Sequence, residues 1–268
     1  MVVGLLGGCG APAAADTTEK TDEGKTEAAA EGIAKEDIKV GFVHISDPSD
    51  MGYTYNQEIG TKEMQEALGL EDDQIINKYN VPEDAECDTA LRELVDAGCN
   101  IIFATSFGFE DYVKEVAAEY PEVQFCHATG YQASDAGLDN MHNYFASIYE
   151  ARYLAGIAAG MKTESNKLGY VAAFPFAEVI SGYTAFYLGA KSVNPDVTMD
   201  IMYTNSWNDP TVESQVAKAL IERGCDVISQ HSDSTAPATT AEENGVWQVG
   251  YNNDMIEAAP KASLISAR

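Results

Sequence analysis

Residues 100–130 read NIIFATSFGFEDYVKEVAAEYPEVQFCHATG, and their pattern is strand, turn, helix, strand. Ile101, Ile102, Phe103 and Ala104 form a short apolar run, the signature of a strand covered on both faces. Thr105, Ser106, Phe107 and Gly108 break that run. Phe109, Val113, Val116 and Tyr120 then recur at helical spacing and make one apolar face. Pro121 stops the helix, and Val123 to Cys126 begin a second strand. The unit is βαβ, which places two parallel strands in one sheet with a right-handed crossover. Ligands of such sheets bind beyond the carboxyl ends of the strands. Ser106–Phe107–Gly108 and Ala128–Thr129–Gly130 are therefore the first places to look for function.

The same alternation extends in both directions. Upstream, Ile38–Ile45 and Gln74–Tyr79 read as strands, with helices over residues 57–68 and 87–97. The turn-forming segment Ser46–Asp50 and the sequence MGYTYN lead into the first helix, predicted to start near Gln57. Met141–Ala146 reads as a further strand. Downstream, Ile148–Met161 is a long apolar helix, after which the pattern restarts. Strands are expected at 168–174, 198–204, 226–230, 247–251 and 262–266, with helices at 179–192, 211–223 and 235–244. The fold class read from this is α/β, with two lobes at 38–146 and 147–268. Each lobe carries a mainly parallel, doubly wound sheet, and a cleft lies between them.

The totals narrow the function. Forty-three acidic against 16 basic residues give a net charge of −27, a surface that repels nucleic acid and anionic membrane. No stretch approaches the 20 or so apolar residues of a membrane span. Cys87, Cys99, Cys126 and Cys225 sit in or beside strand or helix patterns, and no CxxC pair or disulfide framework is present. Cys99, Cys126 and Cys225 are read as buried free thiols. Leu6–Gly7–Gly8–Cys9 resembles a bacterial lipobox without its basic n-region, which would make Cys9 a lipid attachment site and residues 1–9 a shortened signal peptide. Residues 10–37, rich in Ala, Glu, Thr and Lys, are expected to be a solvated acidic tether.

Candidate site residues gather at strand ends. Tyr53 and Tyr55 could stack on a flat ligand or pack on the following helix, and both readings stay open. In the second half, Phe174–Glu178, Asn205–Asp209, His231–Asp233 and Asn252–Asp254 follow successive strands. Aromatics, carboxylates and amides around one rim suit a neutral, flat, hydrogen-bonding ligand rather than a phosphate.

The segments DMGYTYN, FATSFGFED, HATGY, YEARYLAG, KLGYVAAFPFAEVI, SVNPD, NSWNDP, QHSD and VGYNNDM together resemble the basic membrane protein family of ABC-transporter substrate-binding lipoproteins, which includes purine-nucleoside receptors. The resemblance implies a type I periplasmic-binding fold with a purine nucleoside or base held between two lobes and passed to a permease. It implies Tyr53 and Tyr55 as the aromatic side of the first lobe, Asn56 as a base-edge partner, and Ser106 and Phe107 as the floor. It implies Phe176 and Trp207 as the cover from the second lobe. Asp233 and Asp254 would accept hydrogen bonds from the ligand, with Glu178 as a further contact. The implied location is the extracytoplasmic face of a bacterial membrane, with the lipid as the only anchor. Expected partners are the ligand and the permease subunits, with no nucleic acid and no cofactor, and the protein is expected to be a monomer. Family members continue past a point equivalent to Arg268, so the resemblance also implies a missing segment that closes the first lobe.

An enzyme is the competing class. His44, His127, His142 and His231 show no metal spacing, and no GxSxG or GxGxxG motif occurs. Gly189–Ala190–Lys191–Ser192 only half-resembles a phosphate loop. His231 with Asp233 could be a base and its orienter, an arrangement that adjacent loop residues often give by chance. A receptor of the same fold for a sugar or another small polar molecule is the alternative to a purine receptor, because stacking aromatics also fit sugars.

Overall fold

The computed structural model describes residues 32–268. In its first half the elements are β1 (Val40–Val43), α1 (Tyr53–Leu68), β2 (Ile75–Lys78), α2 (Ala85–Asp96), β3 (Ile101–Ala104), α3 (Glu110–Glu119), β4 (Gln124–Ala128), α4 (Ala133–Ala136) and β5 (Met141–Tyr144). Next come α5 (Ile148–Lys162), β6 (Lys167–Ala172), α6 (Ala177–Val193), β7 (Thr198–Tyr203), α7 (Pro210–Glu222), β8 (Val227–His231), α8 (Ala236–Glu243), β9 (Trp247–Tyr251) and β10 (Ser263–Ala267).

The strands form two five-stranded sheets, ordered β2-β1-β3-β4-β5 and β10-β9-β8-β6-β7. Every pairing is parallel. Read from the other side, the second sheet repeats the first, with β7-β6-β8-β9-β10 in the places of β2-β1-β3-β4-β5. In each sheet the order reverses beside the first strand, between β1 and β3 and between β6 and β8. That reversal opens a crevice at the carboxyl ends of the strands.

Burial on both faces explains the apolar strands. β1 (VGFV) is buried along its whole length, as is β8. One core packs Leu91 and Leu94 of α2 and Val113 and Val116 of α3 against Ile102 and Phe125. Another packs Phe186 and Ala190 of α6 and Ala155 and Ala159 of α5 against Leu168 and Tyr170. Cys87, Cys99 and Cys225 are free, buried thiols, while Cys126 is only half-buried. Burial pushes the Cys225 thiol up to about 11.

Three expectations need comment. The first helix begins at Tyr53, not near Gln57. Asp50 is the reason: its carboxylate accepts the backbone N–H groups of Gly52, Thr54 and Tyr55 at 2.9–3.0 Å, which caps the helix four residues early. The end of the acidic segment is structured, since Lys35–Asp37 form a 3₁₀ turn and the Gln74 amide donates to the carbonyls of Lys35 and Ile38. Cys9 and the lipobox-like segment lie outside the described residues, as does most of the tether. No described helix is long and apolar enough to cross a membrane.

Helices α5 and α6 touch backbone to backbone through glycine. A Cβ on Gly156 would run into the carbonyl of Phe186, and one on Gly189 into the carbonyl of Tyr153. Because neither carbonyl can move without its helix, Gly156→Val should cost about 1–3 kcal/mol by overpacking. Gly60→Ala on α1, where a Cβ meets nothing within 4 Å, should be neutral or stabilising by up to about 1 kcal/mol. Urea unfolding of the two variants checks this contrast, and equal losses would contradict the packing described.

Candidate functional site

The carboxyl ends of both sheets face one cavity. Its walls come from Ile45 after β1, Tyr53 at the start of α1, and Thr105, Ser106 and Phe107 after β3, with Thr129 after β4 and Phe145 after β5. The second sheet contributes Glu178 after β6, Trp207 after β7, His231 at the end of β8, Asp233 just beyond it, and Tyr251 at the end of β9. The side chains nearly fill the space between these walls, leaving a cavity of about 20 Å³.

One side is aromatic and crosses between the sheets. Phe107 stacks on Phe176 with centroids 4.5 Å apart and planes at 21°. Phe174 stacks on Phe176 at 5.1 Å, and Trp207 meets Phe174 edge-on at 5.1 Å. His231 and Tyr251 pack at 4.5 Å on the second sheet's side.

Three carboxylates, Glu110 and Glu213 buried and Glu83 half-buried, hold the loops that carry these groups. Glu83 accepts from Ser106 Oγ at 2.6 Å and the Gly108 N–H at 2.7 Å, and its other oxygen faces Trp207 Nε1 at 3.4 Å. Glu110 accepts the N–H groups of Tyr131 and Gln132 and the Asn143 amide. This pins the Thr129–Gly130 turn, in which Thr129 adopts φ 68°. That conformation is costly for a β-branched residue and persists only where its surroundings enforce it. Glu213 accepts from Ser232 Oγ, Ser234 Oγ and the Asp209 N–H, and so joins the loop bearing Trp207 to the loop bearing Asp233. The Asp233 N–H also donates to the Trp207 carbonyl at 2.9 Å.

Some of the other polar groups in the wall lack partners, whereas Asp233 Oδ1 accepts from Asn252 Nδ2 at 3.3 Å. Tyr53 Oη, Thr129 Oγ1 and Glu178 Oε2 are buried without a partner of hydrogen-bond geometry. Burial lifts the Glu178 carboxyl to about 7, opposed by the nearby Thr129 hydroxyl. Burial also lifts Asp233 well above the carboxylate range, and Asp50, Glu213, Glu178 and Glu83 add to the effect. His231 is driven far below its ordinary value, first by burial and then by Arg152. Burial thus works against the charged form of all three groups, and a carboxyl that keeps its proton both donates and accepts hydrogen bonds. Among the described residues, no group of three His, Cys, Asp or Glu side chains is placed to hold a metal ion.

Of the residues expected from sequence, the structure brings Tyr53, Ser106, Phe107, Glu178, Trp207 and Asp233 together in the cavity wall. Phe176 is part of the aromatic stack, against Phe107 at 4.5 Å and Trp207 at 5.9 Å. Tyr55 does not line the cavity. Its place in a helix turns it about 200° from Tyr53, and its N–H serves the Asp50 cap. Asn56 lies on an outer groove, where its Oδ1 accepts from Arg268 Nε at 3.0 Å. Asp254 is exposed and caps a turn through the Ile256 N–H. Sequence reasoning missed Glu83, Glu110, Glu213 and Tyr251. Glu83 lies in the loop after β2, away from the strand ends at the order reversal, and no local signal marks it.

The family model described as Bmp, ABC transporter substrate-binding protein PnrA-like, matches residues 37–267. The chain is 42% identical over 233 residues to a purine-binding protein of Brucella abortus, covering 86% of this chain and 65% of that protein. It is 38% identical over 255 residues to a Haloferax volcanii protein described provisionally as an ABC transporter glucose-binding protein, covering 93% and 63%. The chain thus spans just under two thirds of these relatives' length. Among solved structures, an ABC transporter solute-binding protein of Aeropyrum pernix aligns with TM-score 0.74 at 20% identity, over 85% of this chain and 66% of that one. A transcriptional activator of the comK gene from Bacillus halodurans aligns with TM-score 0.67 at 22% identity, over 82% and 74%. At these identities the structural likeness speaks to the fold, two α/β lobes of the periplasmic-binding type.

The raised Glu178 pKa has a consequence for stability. Between its ordinary value of 4.5 and about 7, the native protein holds a proton that the unfolded chain has released. This contribution to stability therefore falls as pH rises through that window. Glu178→Gln should raise the melting temperature at pH 8 relative to wild type and change it little at pH 5. A gain of the same size at both pH values would refute the assignment.

Proposed function

The chain belongs to the Bmp family of PnrA-like ABC transporter substrate-binding proteins, and from that premise we propose that it binds a purine base or nucleoside between its two sheets. It works on the extracytoplasmic side, held to the membrane by a lipid on Cys9, and hands the purine to permease subunits. The role is binding without turnover.

The observation that carries this reading is the pairing of an aromatic wall with a rim of unpartnered polar atoms. Phe107 and Trp207 present π-faces, while Tyr53 Oη, Thr129 Oγ1 and Glu178 Oε2 lack partners. A purine supplies one face for stacking and several edge donors and acceptors. The 42% identity to a purine-binding protein supports the same class. The site touches both sheets, so a ligand that fills it favours the closed form by as much as it binds that form better. A Cβ on Gly52 would run into the Asp233 carbonyl, so close approach of the two halves needs glycine there.

A sugar is the second reading, favoured by the 38% identity to the Haloferax protein. Calorimetric titration with adenine, guanine, hypoxanthine, adenosine, guanosine and glucose separates the two. The purine reading predicts saturable binding of at least one purine, with the ligand recovered unchanged. Trp207→Ala should then weaken that purine by about 1–3 kcal/mol, the scale of base–aromatic stacking. Binding of glucose alone, or an unaltered purine affinity in Trp207→Ala, would overturn it.

A further inference from the structure

Arg152 of α5 is fully buried, yet no ion pair among the described residues includes it. Its Nη1 donates to the Gln230 carbonyl at 2.7 Å, and its carbon Cζ lies 3.7 Å from the centroid of the Tyr251 ring. Nε and Nη2 are buried without partners. An unpaired guanidinium in a protein interior is expensive, so its surroundings should show what it is for.

Those surroundings lie directly behind the cavity. The heavy atoms nearest to the position a Cβ of Gly182 would take are His231 Nδ1 at 3.4 Å, Tyr170 Oη at 3.6 Å and Arg152 Nε at 3.8 Å. All three are buried and unpartnered. Gly182 on α6 therefore leaves a small polar chamber, lined from α5 by Arg152, from β6 by Tyr170 and from β8 by His231. Trp207, Asp233 and Tyr251 are the other cavity groups around the His231 ring. Arginine has only donors and keeps its proton. A proton on His231 Nδ1 would face those donors, with the Tyr170 hydroxyl beside them as an acceptor, whereas a lone pair on Nδ1 is stabilised by Arg152 and by the Tyr170 O–H alike, directly or through a water that the polar lining can hold.

We infer that Arg152 is a positioning residue that holds His231 as the neutral Nε2–H tautomer, so that His231 donates a hydrogen bond to the ligand. The Nδ1 edge faces the chamber, which leaves Nε2 as the nitrogen for the cavity. If the purine reading holds, on which this last step rests, His231 meets an acceptor of the purine, either a ring nitrogen or a carbonyl oxygen. The contact selects against ligands that offer a donor there.

The first test needs no ligand. Long-range ¹H–¹⁵N spectra of histidine-labelled protein should show His231 neutral, protonated on Nε2 and bare on Nδ1, from pH 6 to pH 8. Arg152→Lys, which keeps a donor-only cation, should preserve that signature. Arg152→Gln, which offers an acceptor, should shift it toward Nδ1–H. A wild-type His231 that is charged or carries its proton on Nδ1 overturns the inference even if no variant folds. The second test uses adenine and its 1-deaza, 3-deaza and 7-deaza analogues as probes. One analogue should bind wild type roughly tenfold more weakly than adenine does, and this gap should vanish in His231→Phe. If the gap persists, His231 does not donate to the ligand. If adenine fails to bind while the Nε2–H signature is present, the purine reading falls and the tautomer assignment stands.

Discussion

The carboxylate of Glu83 touches both halves of the site. One oxygen takes the Ser106 hydroxyl and the Gly108 N–H at the end of β3, and the other faces the Trp207 indole from the second sheet. A Cβ on Gly108 would press on the Glu83 side chain at 2.6–2.9 Å, so the glycine is part of the same device. With Phe107 between Ser106 and Gly108, the position of the first lobe's aromatic face follows from this one acid. The Phe107–Phe176 stack then carries the alignment across to the second lobe.

Around that contact the architecture is a repeat. Two sheets of the same strand order meet at their carboxyl ends, and each contributes loops from its own reversal of order. Glu110 and Glu213 play parallel parts, each tying together the loops of its own half. These carboxylates are occupied by hydrogen bonds from the protein, whereas Glu178 and Asp233 are raised in pKa by burial. Burial thus works against charge on the two acids that line the cavity.

Much of this was legible beforehand, because parallel strands buried on both faces announce themselves as apolar runs. The stretch at 101–104 and its following turn located β3 and the Ser106–Phe107 corner. The residues at the ends of β6, β7 and β8 pointed to Glu178, Trp207 and Asp233 by the same logic. Tyr55 and Asn56 went astray for a reason of one helical turn. The Asp50 cap draws residues 53–56 into α1, so neighbours in sequence point in different directions. Asp254 went astray because a strand-end loop can turn outward as readily as inward. Glu83, Tyr251 and Arg152 were not legible, since each acts through a partner distant in the chain.

The central claim is that a flat ligand enters between Phe107 and Trp207 with its edge on Glu178, Asp233 and His231. A crystal structure of the protein grown with the tightest-binding purine tests it most directly. The account predicts ring density in contact with the Trp207 face and with its polar edge within hydrogen-bond distance of those three side chains. A purine bound outside the space between the two sheets, or bound there with its edge turned away from all three, would contradict it.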